Sequence, residues 1–214
     1  MTTRVLMHIT GFAIIAFGIV GIIVSKVGAT PIDAFNYFVY VLTPDVITLG
    51  TVTVATGLVV SLVVYLIDRN PSILVSIAFL FVIGIFIDVW KVAYDGLPAT
   101  WFVSLWVRIP WALACLVIVS FGAALTLSSG LPPSPFECLM LIIDRKVKNL
   151  QRSKMMIEGT FFMLAILLGL ISQRLFEQVN VYTLVLVLTI GRMIAYFVRR
   201  IEHVQEKRLK PYET

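Results

Sequence analysis

Charged residues fall in a few groups along this chain, and long apolar runs lie between them. Residues 5–25, 46–67 and 71–87 contain no Asp, Glu, Lys or Arg. Residues 109–136 form a longer uncharged run, interrupted near its end by Gly130, Pro132, Pro133 and Pro135. Two further runs carry one charge each, Glu158 in 155–173 and Arg192 in 180–198. A bilayer core of about 30 Å takes about 20 apolar residues in a helix. The pattern therefore predicts six transmembrane helices.

Two other apolar segments, 31–42 and 135–143, are too short for a comfortable crossing. Each opens with a proline, which suits the first position of a helix. Twelve helical residues rise about 18 Å, so both are read as short helices that dip into the membrane or mark a helix break. Counting them as crossings gives the alternative of eight spans.

Composition agrees with the pattern. Hydrophobic residues make up 59% of the 214, charged residues 14%, and mean hydropathy is +0.98. A soluble domain is about 45–50% apolar and about 25% charged. The balance implies an all-α integral membrane protein, in contact with the lipid bilayer. It argues against a soluble enzyme and against nucleic acid as a partner. Cys115 and Cys138 have neither metal spacing nor a disulfide framework. The apolar run after Arg4 is too long for a cleavable signal peptide.

Charge then suggests orientation. In the six-span scheme Arg4, Arg69, the cluster Arg145, Lys146, Lys148, Arg152 and Lys154, and the tail Arg199, Arg200, Lys207, Arg208 and Lys210 share one side. Lys26, Lys91, Arg108 and Arg174 take the other. The positive-inside rule puts the richer side, with both termini, in the cytoplasm of a bacterial cell. Eight spans give a similar asymmetry, so charge does not choose between the schemes. The basic tail is expected to meet anionic lipid. Trp90, Trp101, Trp106 and Trp111 are expected to form an interfacial belt.

The chain also reads as duplicated. Pro31-Ile-Asp33 follows the first span and Pro135-Phe-Glu137 follows the fourth. Gly84, followed by apolar residues and Asp88, ends the third span; Gly191 and Arg192 stand near the end of the sixth. The expected organisation is a first membrane repeat over 1–98, a second over 99–200 and a cytoplasmic tail over 201–214. Three spans per repeat is an odd number, so the repeats would be inverted, as in many secondary transporters; under eight spans they would be parallel. The connection after the first short segment carries Asp45 alone, while that after the second carries five basic residues.

On these residues the sequence resembles the YczE/YyaS/YitT-type bacterial membrane proteins, closest to the YczE-like branch. The resemblance rests on Gly28, Pro31 and Asp33, on Pro135 and Glu137, on Gly84 and Asp88, and on Glu158. It covers roughly residues 10–200. The second half departs from the pattern at Pro132, Pro133 and Arg192. It implies a fold more than an activity.

Ionisable groups inside a bilayer cost several kcal/mol unless paired, and are functional candidates. Glu158 and Arg192 have similar depths on adjacent spans, so they are read as a salt-bridged pair, functional or simply orienting two helices, with Arg192 snorkelling to lipid phosphate as the alternative. Asp33 and Glu137, with Pro31 and Pro135, can cap their helices or line a central cavity as proton or cation sites. With carboxylates there, a cation, a proton or a zwitterion fits better than a simple anion. Asp88 is expected at the interface. His8 is expected to be structural, Gly28, Gly84 and Gly191 are read as structural glycines, and Gly11, Gly18 and Gly21 suggest close helix packing. Enzyme motifs are absent, and neither a metal nor a cofactor is expected. The reading is a small secondary-transporter-like protein for an unknown solute or ion. The rival is a non-transporting accessory protein of a membrane complex. Substrate, coupling ion and homo-oligomerisation stay open.

Overall fold

A computed structural model describes residues 2–43 and 47–209. The described residues form α1 (Thr2–Ser25), α2 (Pro31–Leu42), α3 (Leu49–Asp68), α4 (Ile73–Asp95), α5 (Leu105–Ser128), α6 (Pro135–Val147), α7 (Leu150–Ile171), the short α8 (Leu175–Gln178) and α9 (Val181–Leu209), with a 3-10 turn at Ala99–Phe102. Six helical stretches are long and apolar enough to cross a membrane: α1, α3, α4, α5, α7 and the run from α8 into α9. Their outer faces carry large exposed apolar side chains such as Leu66, Val92, Leu170 and Leu188. Such a surface suits lipid, so the chain is a multi-pass membrane protein.

Several boundaries moved from the sequence expectation. α4 runs two turns beyond Asp88 to Asp95, because Lys91 bonds Asp95 one turn on, at 2.6 Å from Oδ1, and lies over the Tyr40 ring. α5 starts at Leu105 and so includes Arg108 and Pro110. α6 extends to Val147, where Lys148 adopts a left-handed conformation and ends it. The basic tail continues α9 as helix to Leu209. Asp45 and Lys210 lie outside the described residues.

α1 and α5 cross at the centre of the bundle, and glycines set their separation. A Cβ on Gly11 would lie 2.9 Å from the Gly122 carbonyl, and one on Gly122 equally close to that of Gly11. Gly18 meets Val119 and the Cys115 carbonyl in the same way. These pairs run antiparallel. At the end carrying the start of α1, here the near face, buried His8 bonds Ser129 Oγ through Nδ1 at 2.9 Å. At the far face, Arg108 donates to the Ser25 carbonyl and, at 2.5 Å, to that of Lys26. α1 and α5 therefore run antiparallel.

The remaining helices build around this pair. α4 lies along α1 and α9 along α5, while α2 packs on α7 and α6 on α3. The shared core includes Val20, Phe38, Leu49, Ile87, Cys115 and Leu186. α3 and α4 approach backbone to backbone, since a Cβ on Gly50 would fall 2.1 Å from the Gly84 carbonyl. α7 and α9 have no such contact, and a cleft of about 170 Å³ separates them.

The tryptophans do not all form a belt. Trp90 donates from Nε1 to the Ala13 carbonyl at 3.0 Å and packs its ring 4.9 Å from Phe17. Trp111 packs edge-to-face among Phe17, Tyr94 and Phe102. Both are internal packing groups, and the absence of a side chain at Gly21 leaves room for Trp111, whose Nε1 would lie 3.2 Å from a Cβ there. Trp101 and Trp106 remain exposed at the far face.

Candidate functional site

The two short helices begin in the same way. Thr30 and Ser134 are their N-caps, both extended, at φ −63°, ψ 155° and φ −61°, ψ 155°. The Thr30 hydroxyl accepts from Asp33 N at 3.3 Å and donates to Asp33 Oδ2 at 2.6 Å. The Ser134 hydroxyl accepts from Glu137 N at 3.3 Å, and Glu137 Oε2 accepts from Ser134 N at 2.8 Å, closing a capping box. Pro31 and Pro135 follow at the first helical position, where a missing N–H costs nothing. The full motif is therefore hydroxyl-Pro-x-acid. The hydroxyl was the part missed in the sequence, although a Ser or Thr three residues before an acid is a capping signature.

Both starts meet in the middle of the bundle. Phe161, midway along α7, has its ring 5.4 Å from Phe35 of α2 and 5.7 Å from Phe136 of α6. From there the helices diverge. α2 runs toward the far face, where the Tyr37 hydroxyl bonds Glu177, itself paired with Lys26 at 3.2 Å. α6 runs toward the near face, where Arg145 bonds Asp68 at 2.5 and 3.0 Å. The segment before α2 is fastened by Ala29 N to the Gln178 carbonyl at 2.9 Å, and Gly28 sits at φ +130° against Asn180.

Where the two starts meet, a cavity of about 270 Å³ opens between α1, α2, α3, α4 and α6. Thr30, Asp33 and Asn36 enter it from α2; Ser134, Pro135 and Phe136 enter from α6. Phe12, Ile19, Phe79, Leu80 and Ile83 supply apolar walls. Its polar groups are mostly engaged with one another. Asn36 reaches Thr53 at 3.5 Å and accepts from Thr56 at 2.8 Å, and Ser76 donates to the Pro133 carbonyl at 2.6 Å. Asp33 is the one ionisable side chain in the wall, and no Lys, Arg or His pairs with it among the described residues. Glu137 stays in its cap.

The other candidate residues are not gathered here. Glu158 lines the α7–α9 cleft with Pro31, Phe162 and Thr183, and its cation is Lys154 at 3.5 Å. The expected bridge to Arg192 does not form: Lys154 stands one turn before Glu158 on the same helix, whereas Arg192 is exposed on α9 across the cleft. Gly84 is held against Gly50 and Val54, while a Cβ on Gly191 would meet only Lys154 Nζ, at 3.7 Å.

Asp88 does more than mark an interface. It accepts from the Thr48 hydroxyl at 2.6 Å and from Gly50 N at 2.7 Å, capping the start of α3 from α4. Gly84 and Asp88 lie one turn apart on one face, the first admitting the α3 backbone and the second satisfying its free N–H. Sequence reasoning missed the contact because Thr48 and Gly50 lie far from it along the chain.

The arrangement can hold a small molecule in the bundle interior beside a carboxylate. Among the described residues no group of three or more His, Cys, Asp or Glu is placed to hold a metal. No curated protein and no solved structure matches the chain. A family model of unknown function covers residues 2–199, nearly the whole length, and carries no YczE/YyaS/YitT assignment. The chain belongs to this family of unknown function, DUF6198.

Proposed function

We propose that the protein is a small secondary-transporter-like membrane protein that moves a small solute or ion through the cavity at the starts of α2 and α6. One observation carries this reading: two short helices running in opposite directions begin at one interior cavity that holds a carboxylate. Discontinuous helices that meet near the bilayer midplane are where many secondary transporters bind substrate. On this reading α2 and α6 are re-entrant and the two halves are inverted repeats. The matching caps support it, as do the paired packings of α2 on α7 with α6 on α3 and of α1 on α4 with α5 on α9. The resemblance to YczE-like proteins fits the same plan.

The reading takes the near face as cytoplasmic, in a bacterial cytoplasmic membrane, because the basic cluster following α6 belongs there by the positive-inside rule. The tail then contacts anionic lipid. Asp33 is the proposed solute or ion ligand. Glu137 positions the α6 start, and Glu158 guards the cleft. No enzymatic step is assigned to any of these groups.

Reconstitution into proteoliposomes with a pH-sensitive dye and a broad solute panel tests the proposal. Wild type is expected to give solute-dependent flux that Asp33→Asn abolishes and Glu137→Gln reduces. Identical traces for all three across the panel refute transport.

A further inference from the structure

We propose that this cavity binds a small organic ammonium ion with an apolar body. The inference deepens the transport reading and rests on it only for the purpose of binding.

Charge balance selects a monovalent cation. A helix start carries about +0.5 of an elementary charge, so the starts of α2 and α6 together bring about +1. Asp33 in the cavity wall and Glu137 in its cap on Ser134 each outweigh the half-charge of their own helix start, leaving about −1 over the two starts together. No basic side chain among the described residues offsets Asp33. Its one side-chain partner is the neutral Thr30 hydroxyl at 2.6 Å, and a carboxylate without a counter-charge within a membrane is costly, a cost that a cationic ligand would offset. An anion would face that carboxylate with no basic group to hold it.

The walls select an organic ion over a metal. A bare metal ion of any charge must replace its hydration shell with several oxygen ligands, six to eight for calcium, and this cavity offers one carboxylate, with Thr30, Ser134, Asn36 and Ser76 already engaged within the protein. Phe12, Phe79 and Phe136 line the space, and aromatic faces attract ammonium groups. A volume of about 270 Å³ corresponds to about nine waters of liquid. It suits a ligand of similarly few heavy atoms.

The test compares benzylammonium, benzyl alcohol and benzoate, which share one ring and differ in charge. Binding to the purified full chain in nanodiscs is read by calorimetry. Benzylammonium is expected to bind at least tenfold more tightly than benzyl alcohol, and benzoate not at all. Asp33→Asn is expected to remove the preference for the ammonium, and Phe79→Leu to weaken it severalfold. Asp95→Asn, outside the cavity, is expected to leave it unchanged. Equal or tighter binding of the alcohol or of benzoate by wild type overturns the proposal, as does no binding of benzylammonium. These wild-type comparisons hold even if Asp33→Asn fails to fold. The assay needs no flux, so ammonium binding at Asp33 without transport refutes only the transport reading. Flux of other solutes without ammonium binding refutes only this proposal.

Discussion

Replacing Asp88 should weaken the α3–α4 contact in a graded way. Asp88→Ala removes an acceptor from the Thr48 hydroxyl and from Gly50 N, at 2.6 and 2.7 Å. Hydrogen bonds to charged groups contribute about 1.5–3 kcal/mol each. Asp88 is only half-buried, so water partly replaces them and the low end applies, about 3 kcal/mol in all. Asp88→Asn should cost less. Its amide oxygen can accept from Gly50 N while its NH₂ donates to Thr48 Oγ1, a hydroxyl able to reverse its role. What Asn loses is the charge at a helix start, about 0.3–1 kcal/mol. For a chain of this length 1 kcal/mol moves Tm by about 2–4 °C. Thermal unfolding of the detergent-purified protein should therefore fall by about 6–12 °C for Asp88→Ala and by no more than about 4 °C for Asp88→Asn. Equal losses for the two variants, or none for Asp88→Ala, would refute the cap.

Two further outcomes follow from the packing and the topology. Gly50→Ala should destabilise by more than the 1–3 kcal/mol usual for overpacking, because its Cβ would lie 2.1 Å from a backbone oxygen. Gly191→Ala, with only Lys154 Nζ at 3.7 Å, should leave Tm unchanged or raise it; the reverse order in a melting assay would contradict the α3–α4 contact. Asn70→Cys, beside Arg69, should resist a membrane-impermeant thiol reagent applied to whole cells, while Trp106→Cys should react. Wild type, whose Cys115 is buried and Cys138 half-buried, serves as the blank. Labelling of Asn70→Cys from outside would overturn the proposed orientation.

The cavity was only partly legible beforehand. Pro31, Asp33, Pro135 and Glu137 stand out because proline and an acid at a helix start are local signals, satisfied within one turn. Their different fates are not local. Asp33 reaches the cavity and Glu137 does not, although their caps are alike, because each helix packs against a different neighbour. Depth along two spans suggested that Glu158 and Arg192 would pair. Depth carries no rotation about the helix axis, and rotation together with the open α7–α9 cleft left Glu158 to Lys154.

Runs of neighbouring residues were enough to fix the lipid solvent, the six long apolar helices and the two proline-led starts. Each follows from transfer free energy and backbone chemistry summed over adjacent residues. The antiparallel course of α1 and α5, the service of Gly84 and Asp88 to the start of α3, and the meeting of the α2 and α6 starts at one cavity emerged with the packed fold. Those outcomes depend on contacts between residues distant along the chain. In lipid, where apolar side chains gain little from leaving the solvent, close backbone approach and the pairing of polar groups select among the packings that the apolar pattern alone allows.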